Sequence, residues 1–163
     1  SLQREVELGV IDEFTLDLDE AIERADIIVI CTPTLTTVQM LEKILPRLLG
    51  RSGGPVITDV ASVKGNLRTA AIAVAGAMPP QLVLGHPIAG SQYSGVNASK
   101  ADLFVDHRVI LTPDAANDPA AVELVRAMWR SAVRTATYSG AVHVVQAGHI
   151  LSLIYISEPT RPY

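Results

Sequence analysis

Three short apolar runs limit what this chain can fold into: Asp26-Ile-Ile-Val-Ile-Cys31, Val56-Ile-Thr-Asp-Val60 and Gln81-Leu-Val-Leu84. None of them alternates apolar with polar residues. A continuous run suits a parallel strand covered on both faces. The segments between them, Thr34 to Leu49 and about Val63 to Met78, carry apolar residues at helical spacing. Parallel neighbours need a crossover of that length, so strand, helix, strand, helix reads as right-handed βαβ units in an open, mostly parallel sheet.

The remaining segments fit this frame. Residues 2 to 9 read as a helix ended by Gly9, and Asp17 or Asp19 can cap a short helix through Ala25. Ser52-Gly-Gly-Pro55 is a turn, Pro79-Pro80 stops the second long helix, and Gly85 to Lys100 is rich in loop residues. Arg108-Val-Ile-Leu-Thr112 makes a fourth strand, and Asp118-Pro119 opens a helix to about Ala132. At 163 residues there is room for one domain. The net charge of −4 comes without a basic run, which argues against a nucleic-acid partner or a membrane surface. Apolar stretches such as Ile27 to Cys31 are far too short to cross a bilayer, and no signal peptide opens the chain. Cys31 is the one cysteine, so no disulfide framework exists and a reducing cytoplasm is the expected compartment. It reads as a small core residue rather than a nucleophile.

Both ends depart from what such a sheet leads one to expect. No G-x-G-x-x-G turn occurs, no acidic residue follows a second strand to hold a ribose hydroxyl, and the chain opens in a helix. Leu151-Ser-Leu-Ile-Tyr-Ile-Ser-Glu-Pro-Thr-Arg161 resembles the translation of a sequencing-library transposase adaptor, differing from it at Tyr155. Residues 151–163 are therefore expected to be a non-native tail; a genuine apolar segment with a polar end is the alternative. The expectation is a partial chain.

In open α/β sheets ligands bind beyond the carboxyl ends of the strands. Three such ends carry unusual residues: Cys31-Thr-Pro-Thr34, Asp59-Val-Ala-Ser-Val-Lys-Gly65 and Gly85-His-Pro-Ile-Ala-Gly90. Parallel strands would bring all three to one rim. His86 is the sharpest candidate, because an imidazole with an ordinary pKa of about 6.5 can accept a proton near neutrality. The proline after it restricts the backbone, and the residues alone equally allow a plain turn histidine. Ser62 stands where a helix N-cap belongs, yet a capping hydroxyl can also meet a ligand. Lys64 could meet an anion at that helix start, or simply be solvated. Asp59 could cap or orient its neighbours, without a role in proton transfer. Thr32 and Pro33 suit a wall of a cofactor cleft or an ordinary strand-to-helix turn. His107, His143 and His149 share no ligand spacing with one another or with the cysteine, so no metal is expected.

Taken together these ends resemble the prephenate/arogenate dehydrogenase family. The likeness is carried by Ala25-Asp-Ile-Ile-Val-Ile-Cys-Thr-Pro33, Thr58-Asp-Val-Ala-Ser-Val-Lys-Gly65, Gly85-His-Pro-Ile-Ala-Gly90 with Ser94-Gly95, and Asp102-Leu-Phe104 through Arg108-Val-Ile-Leu-Thr-Pro113. It spans residues 1 to 145. The resemblance implies a Rossmann-type, doubly wound, mostly parallel sheet, here without its first strand and glycine-rich turn. It implies a partial NAD- or NADP-binding domain over residues 1–140, and over 141–150 the start of a helical dimerisation domain otherwise missing. By the same likeness the full-length protein is a homodimer that oxidatively decarboxylates prephenate to 4-hydroxyphenylpyruvate, or arogenate to tyrosine. His86 matches the family's base, and Ser62 the serine that orients hydroxyl, histidine and nicotinamide. Thr32, Pro33 and Ser62 then fall on the cofactor, and His86, Ser91 and Gln92 on the substrate.

One departure bears on the substrate. Many relatives carry Thr-Glu after the histidine motif, where this chain has Ser91-Gln92. A neutral amide loses the charge attraction that a carboxylate would offer to arogenate's ammonium group, so prephenate is the expected substrate. Two other readings compete. A 3-hydroxyacid-type dehydrogenase would leave the Gly85–Gly90 motif unexplained, and a non-catalytic binding module would explain the missing glycine-rich turn.

Overall fold

The computed structural model describes residues 2–9, 11–89 and 103–133, together with the backbone of 153–156. In chain order these are α1 (Leu2–Glu7), α2 (Leu18–Arg24), β1 (Ile27–Ile30), α3 (Thr34–Leu48), β2 (Val56–Asp59), α4 (Gly65–Ala75), β3 (Leu82–Ile88), β4 (Arg108–Thr112), α5 (Pro119–Ala132) and β5 (Leu153–Ile156). The sheet order is β4-β3-β2-β1-β5. β1 pairs parallel with β2, Ile30 opposite Asp59, and β2 pairs parallel with β3, Thr58 opposite Val83. β4 runs antiparallel to β3.

Alternation along the strands sends side chains into two separate cores. Ile28 and Ile30, Ile57, and Leu82 and Leu84 pack against Leu41, Ile44 and Leu45 of α3 and Leu67 and Ala71 of α4. Ile27 and Val29, Val56, and Val83 pack on the other face with Val125, Met128 and Trp129 of α5, where Phe104 meets the Trp129 ring edge-on at 5.3 Å. Helices on both faces of a mostly parallel sheet are the doubly wound arrangement expected of the sequence. The helix starts follow the capping chemistry. The Asp17 carboxylate accepts from the Asp19 and Glu20 amides, and the Asp118 carboxylate from the Ala120 amide.

Two expectations need correction. Strand β3 does not stop at Leu84 but continues through His86 to Ile88, because β4 supplies an antiparallel partner, with Gly85 in register with Leu111, His86 with Ile110 and Pro87 with Val109. Ser62 is not a helix cap, since α4 begins only at Gly65, with Lys64 in the cap position and no side-chain cap bond. The chain after β2 is instead tied by Asp59, whose carboxylate accepts from the Ala61 amide at 2.9 Å. Along the outer edge of β1, β5 lies parallel, Ile27 opposite Leu153 and Ile30 opposite Ile156.

Candidate active site at the carboxyl rim of the sheet

The site is built where strands of unequal length end. β1 and β2 finish level with one another, and β3 outruns both by several residues. Extending the parallel register places Thr32, Ala61 and His86 at about the same height along the rim. Alternation carries His86 to the face of Leu82 and Leu84, which α3 and α4 cover. Ser62 lies in the turn that leads into α4, and it is exposed. The fold therefore brings His86 and Ser62 to one rim and one face of the sheet. His86 is half-buried, and its Nδ1 is buried with no hydrogen-bond partner among the described residues.

Pro87 can stand inside a strand here for a geometric reason. The N–H and C=O of one residue point to the same side of a strand, and residues two apart repeat that direction. Gly85 and Pro87 thus face the side where β2 has already ended, so the amide hydrogen that proline lacks has no strand to receive it. Gly85 faces that side too, and its polar groups are met by side chains. Its amide donates to Asp59 Oδ1 at 3.1 Å, and its carbonyl accepts from Lys64 Nζ at 2.6 Å. Lys64 also donates to Asp59 Oδ2 in an ion pair, where the Asp59 side chain is wholly buried and that of Lys64 is 17% exposed. Burial pushes the Asp59 carboxyl up and the Lys64 ammonium down from their ordinary values, and each is partly restored by the other. Residue 85 has no room for a side chain, since a Cβ would stand 3.0 Å from Leu111 Cδ2 and 3.4 Å from the Asp59 carbonyl oxygen.

Thr32 and Pro33 sit at the same rim, but Thr32 is engaged locally. It is buried, its hydroxyl lies 2.9 Å from the Thr37 hydroxyl, and that hydroxyl donates to the Thr32 carbonyl at 2.9 Å. Pro33 is exposed and starts α3 without a side-chain cap, leaving that helix's first turn open to the rim. The Cys31 thiol is pushed up to about 12, first by burial and then by the negative Asp59, so it is held as a thiol. The His107 ring meets the Val105 carbonyl at 2.7 Å. Ser91, Gln92, His143 and His149 lie outside the described residues. Sequence reasoning gave Asp59 and Lys64 only loose roles. Their partner, Gly85, lies 26 residues beyond Asp59, a link that no helical or strand period reveals.

The model of the prephenate dehydrogenase nucleotide-binding domain matches residues 1–136. The cyclohexadienyl dehydrogenase of Zymomonas mobilis is 29% identical over 147 residues, 90% of this chain and 45% of that protein. The prephenate dehydrogenase of Bacillus subtilis is 37% identical over 123 residues, 74% of this chain and 32% of that protein. The crystal structure of prephenate dehydrogenase from Aquifex aeolicus, in complex with hydroxyphenyl propionate and NAD+, superposes with a TM-score of 0.68 at 29% identity. It covers 96% of this chain and 47% of that one. The chain thus spans half or less of the length of these relatives. With its doubly wound sheet and the histidine motif standing at the strand rim, the chain belongs to the prephenate dehydrogenase family and carries that family's nucleotide-binding domain.

Proposed function

We propose that the protein to which this domain belongs is an NAD(P)-dependent prephenate dehydrogenase, and that His86 is its general base. One observation carries the reading: a half-buried histidine held in a strand that outruns its neighbours, on the same rim and face as exposed Ser62. The geometry suits a group that must take a proton at a fixed point.

The residues present fit the nicotinamide side of a dinucleotide. Half-buried His86 with its orphaned Nδ1, the exposed Ser62 and the uncapped first turn of α3 beside Thr32 and Pro33 all lie at the rim where such folds bind. Thr32 and Pro33 would line that cleft through backbone and ring, since the Thr32 hydroxyl is already bonded. Bound NAD(P) supplies the hydride acceptor. His86 Nε2 takes the proton of the substrate hydroxyl as hydride leaves the carbon that bears it. The bond to the ring carboxylate then breaks, carbon dioxide departs, and its electron pair aromatises the ring. The former hydroxyl oxygen recovers a proton to end as a phenol, so protons balance. Ser62 orients the hydroxyl and the imidazole. Aromatisation supplies much of the driving force, which leaves alignment and proton removal as the protein's work.

On the sequence, Ser91 and Gln92 fall on the substrate, and the neutral Gln92 favours prephenate over arogenate. A homodimer in the cytoplasm is part of the same reading. The test is direct. The whole protein, given prephenate and NAD+ or NADP+, should form the reduced cofactor and 4-hydroxyphenylpyruvate, and no turnover of either cyclohexadienol would refute the reading. Gln92→Glu should move the ratio of kcat/KM toward arogenate; an unchanged ratio would remove Gln92 from substrate choice.

A further inference from the structure

We infer that Asp59 and Lys64 are positioning residues that set the orientation of His86 by holding both polar groups of Gly85. The inference rests on the proposed base role of His86 and deepens it.

The argument starts from the uneven strand ends. A residue inside a sheet has its N–H and C=O fixed by the neighbouring strand. Gly85 faces the side where β2 has ended, so no backbone is there to hold it. Two side chains stand in for the absent strand. Asp59 Oδ1 takes the amide at 3.1 Å, and Lys64 Nζ gives to the carbonyl at 2.6 Å while also pairing with Asp59 Oδ2. The Gly85 carbonyl belongs to the same planar peptide as the His86 nitrogen. Fixing that carbonyl fixes the plane from which His86 starts. On its other side, Pro87 confines His86 to extended conformations. The residue is thus held at both ends, by the ion pair before it and by the proline ring after it, and among the described residues its imidazole Nδ1 has no hydrogen-bond partner.

Stability alone is a poor reason for this arrangement. A buried ion pair recovers little more than it loses in desolvation, and apolar replacements for both partners are often neutral or stabilising. Burial disfavours the charged form of both groups here. The pair sits instead where its geometry sets the backbone of the candidate base.

The experiment uses the whole protein with Lys64→Met, Asp59→Asn and the double substitution. Three quantities are read: steady-state kinetics with prephenate, the melting temperature, and the ¹H–¹⁵N signals of the His86 ring, assigned by their loss in His86→Asn. Each single substitution should lower kcat about 10- to 100-fold, the scale of a small misplacement of a reacting group. The KM for the cofactor should stay unchanged, and the His86 ring signals should shift or broaden. The double variant should be no slower than the slower single one, because both break the same device. Its melting temperature should equal or exceed those of the singles. Lys64→Arg, which keeps a cationic donor, should recover part of the loss in kcat.

A fall in melting temperature with kcat and the His86 signals unchanged would make the pair merely structural and overturn the inference. So would additive losses in kcat. Should Lys64→Met fail to fold, the nearly isosteric Asp59→Asn gives the same reading. Should the wild-type protein turn over neither substrate, the base role falls, and the ring signals alone decide the clamp: unchanged signals in the variants overturn it.

Discussion

Cys31 shows how much a residue's setting can alter its chemistry. It lies half-buried at the end of β1, and burial followed by the charge of Asp59 raises its thiol to about 12. The thiolate is the reactive form, so native Cys31 should be alkylated by iodoacetamide at pH 8 far more slowly than in urea; equal rates would contradict its placement. The sign for stability follows from linkage. A group whose folded pKa is raised stabilises the fold fully below the unfolded value of about 8.5, and that contribution is lost as pH rises from there through about 12. Its inertness could be read from the sequence, since a lone cysteine closing an apolar strand points to packing. His86 could be read as well, because Gly85 and Pro87 around it are unusual at a strand end. The partners of Lys64 could not. Asp59, five residues before it, and Gly85, 21 residues after it, meet it only because β2 stops short.

At the scale of elements, the helices and the parallel strands were legible because their signals are local: apolar period, capping aspartates, and the Pro79-Pro80 stop. The extension of β3 was not. A proline after histidine reads as a strand end unless the missing amide faces an empty side, and that depends on how long the next strand is. A second feature joins elements across the chain. Asn117 Nδ2 donates to the Leu82 carbonyl at 2.8 Å and the Pro79 carbonyl at 3.2 Å, while its Oδ1 accepts from the Asp114 amide at 2.7 Å. The Asp118 amide adds a bond to the Pro80 carbonyl at 2.9 Å. These bonds fasten the turn before α5 to the turn before β3, and so steady the strand that carries His86. Asn117→Ala should cost about 2–3 kcal/mol, because it leaves buried carbonyls unsatisfied as well as losing bonds. Urea unfolding measures this, and a loss below about 0.5 kcal/mol, the low end for a single net hydrogen bond, would deny the staple its role.

For the molecule as a whole, the order β4-β3-β2-β1-β5 puts three strand ends side by side, and unequal strand length leaves His86 standing beyond the ends of β1 and β2. The class of fold was plain from the repeated strand–helix spacing. The strand along β1's outer edge was not, because residues 153–156 carry no signal that they pair there rather than anywhere else. That placement matters for function only if the histidine moves a proton. The most direct test is turnover by the whole protein with His86→Asn, measured beside the Kd for NAD(P). The account predicts that kcat falls by about 10²–10⁴-fold, the usual worth of a general base, while cofactor binding is unchanged. Wild-type turnover in that variant would contradict it.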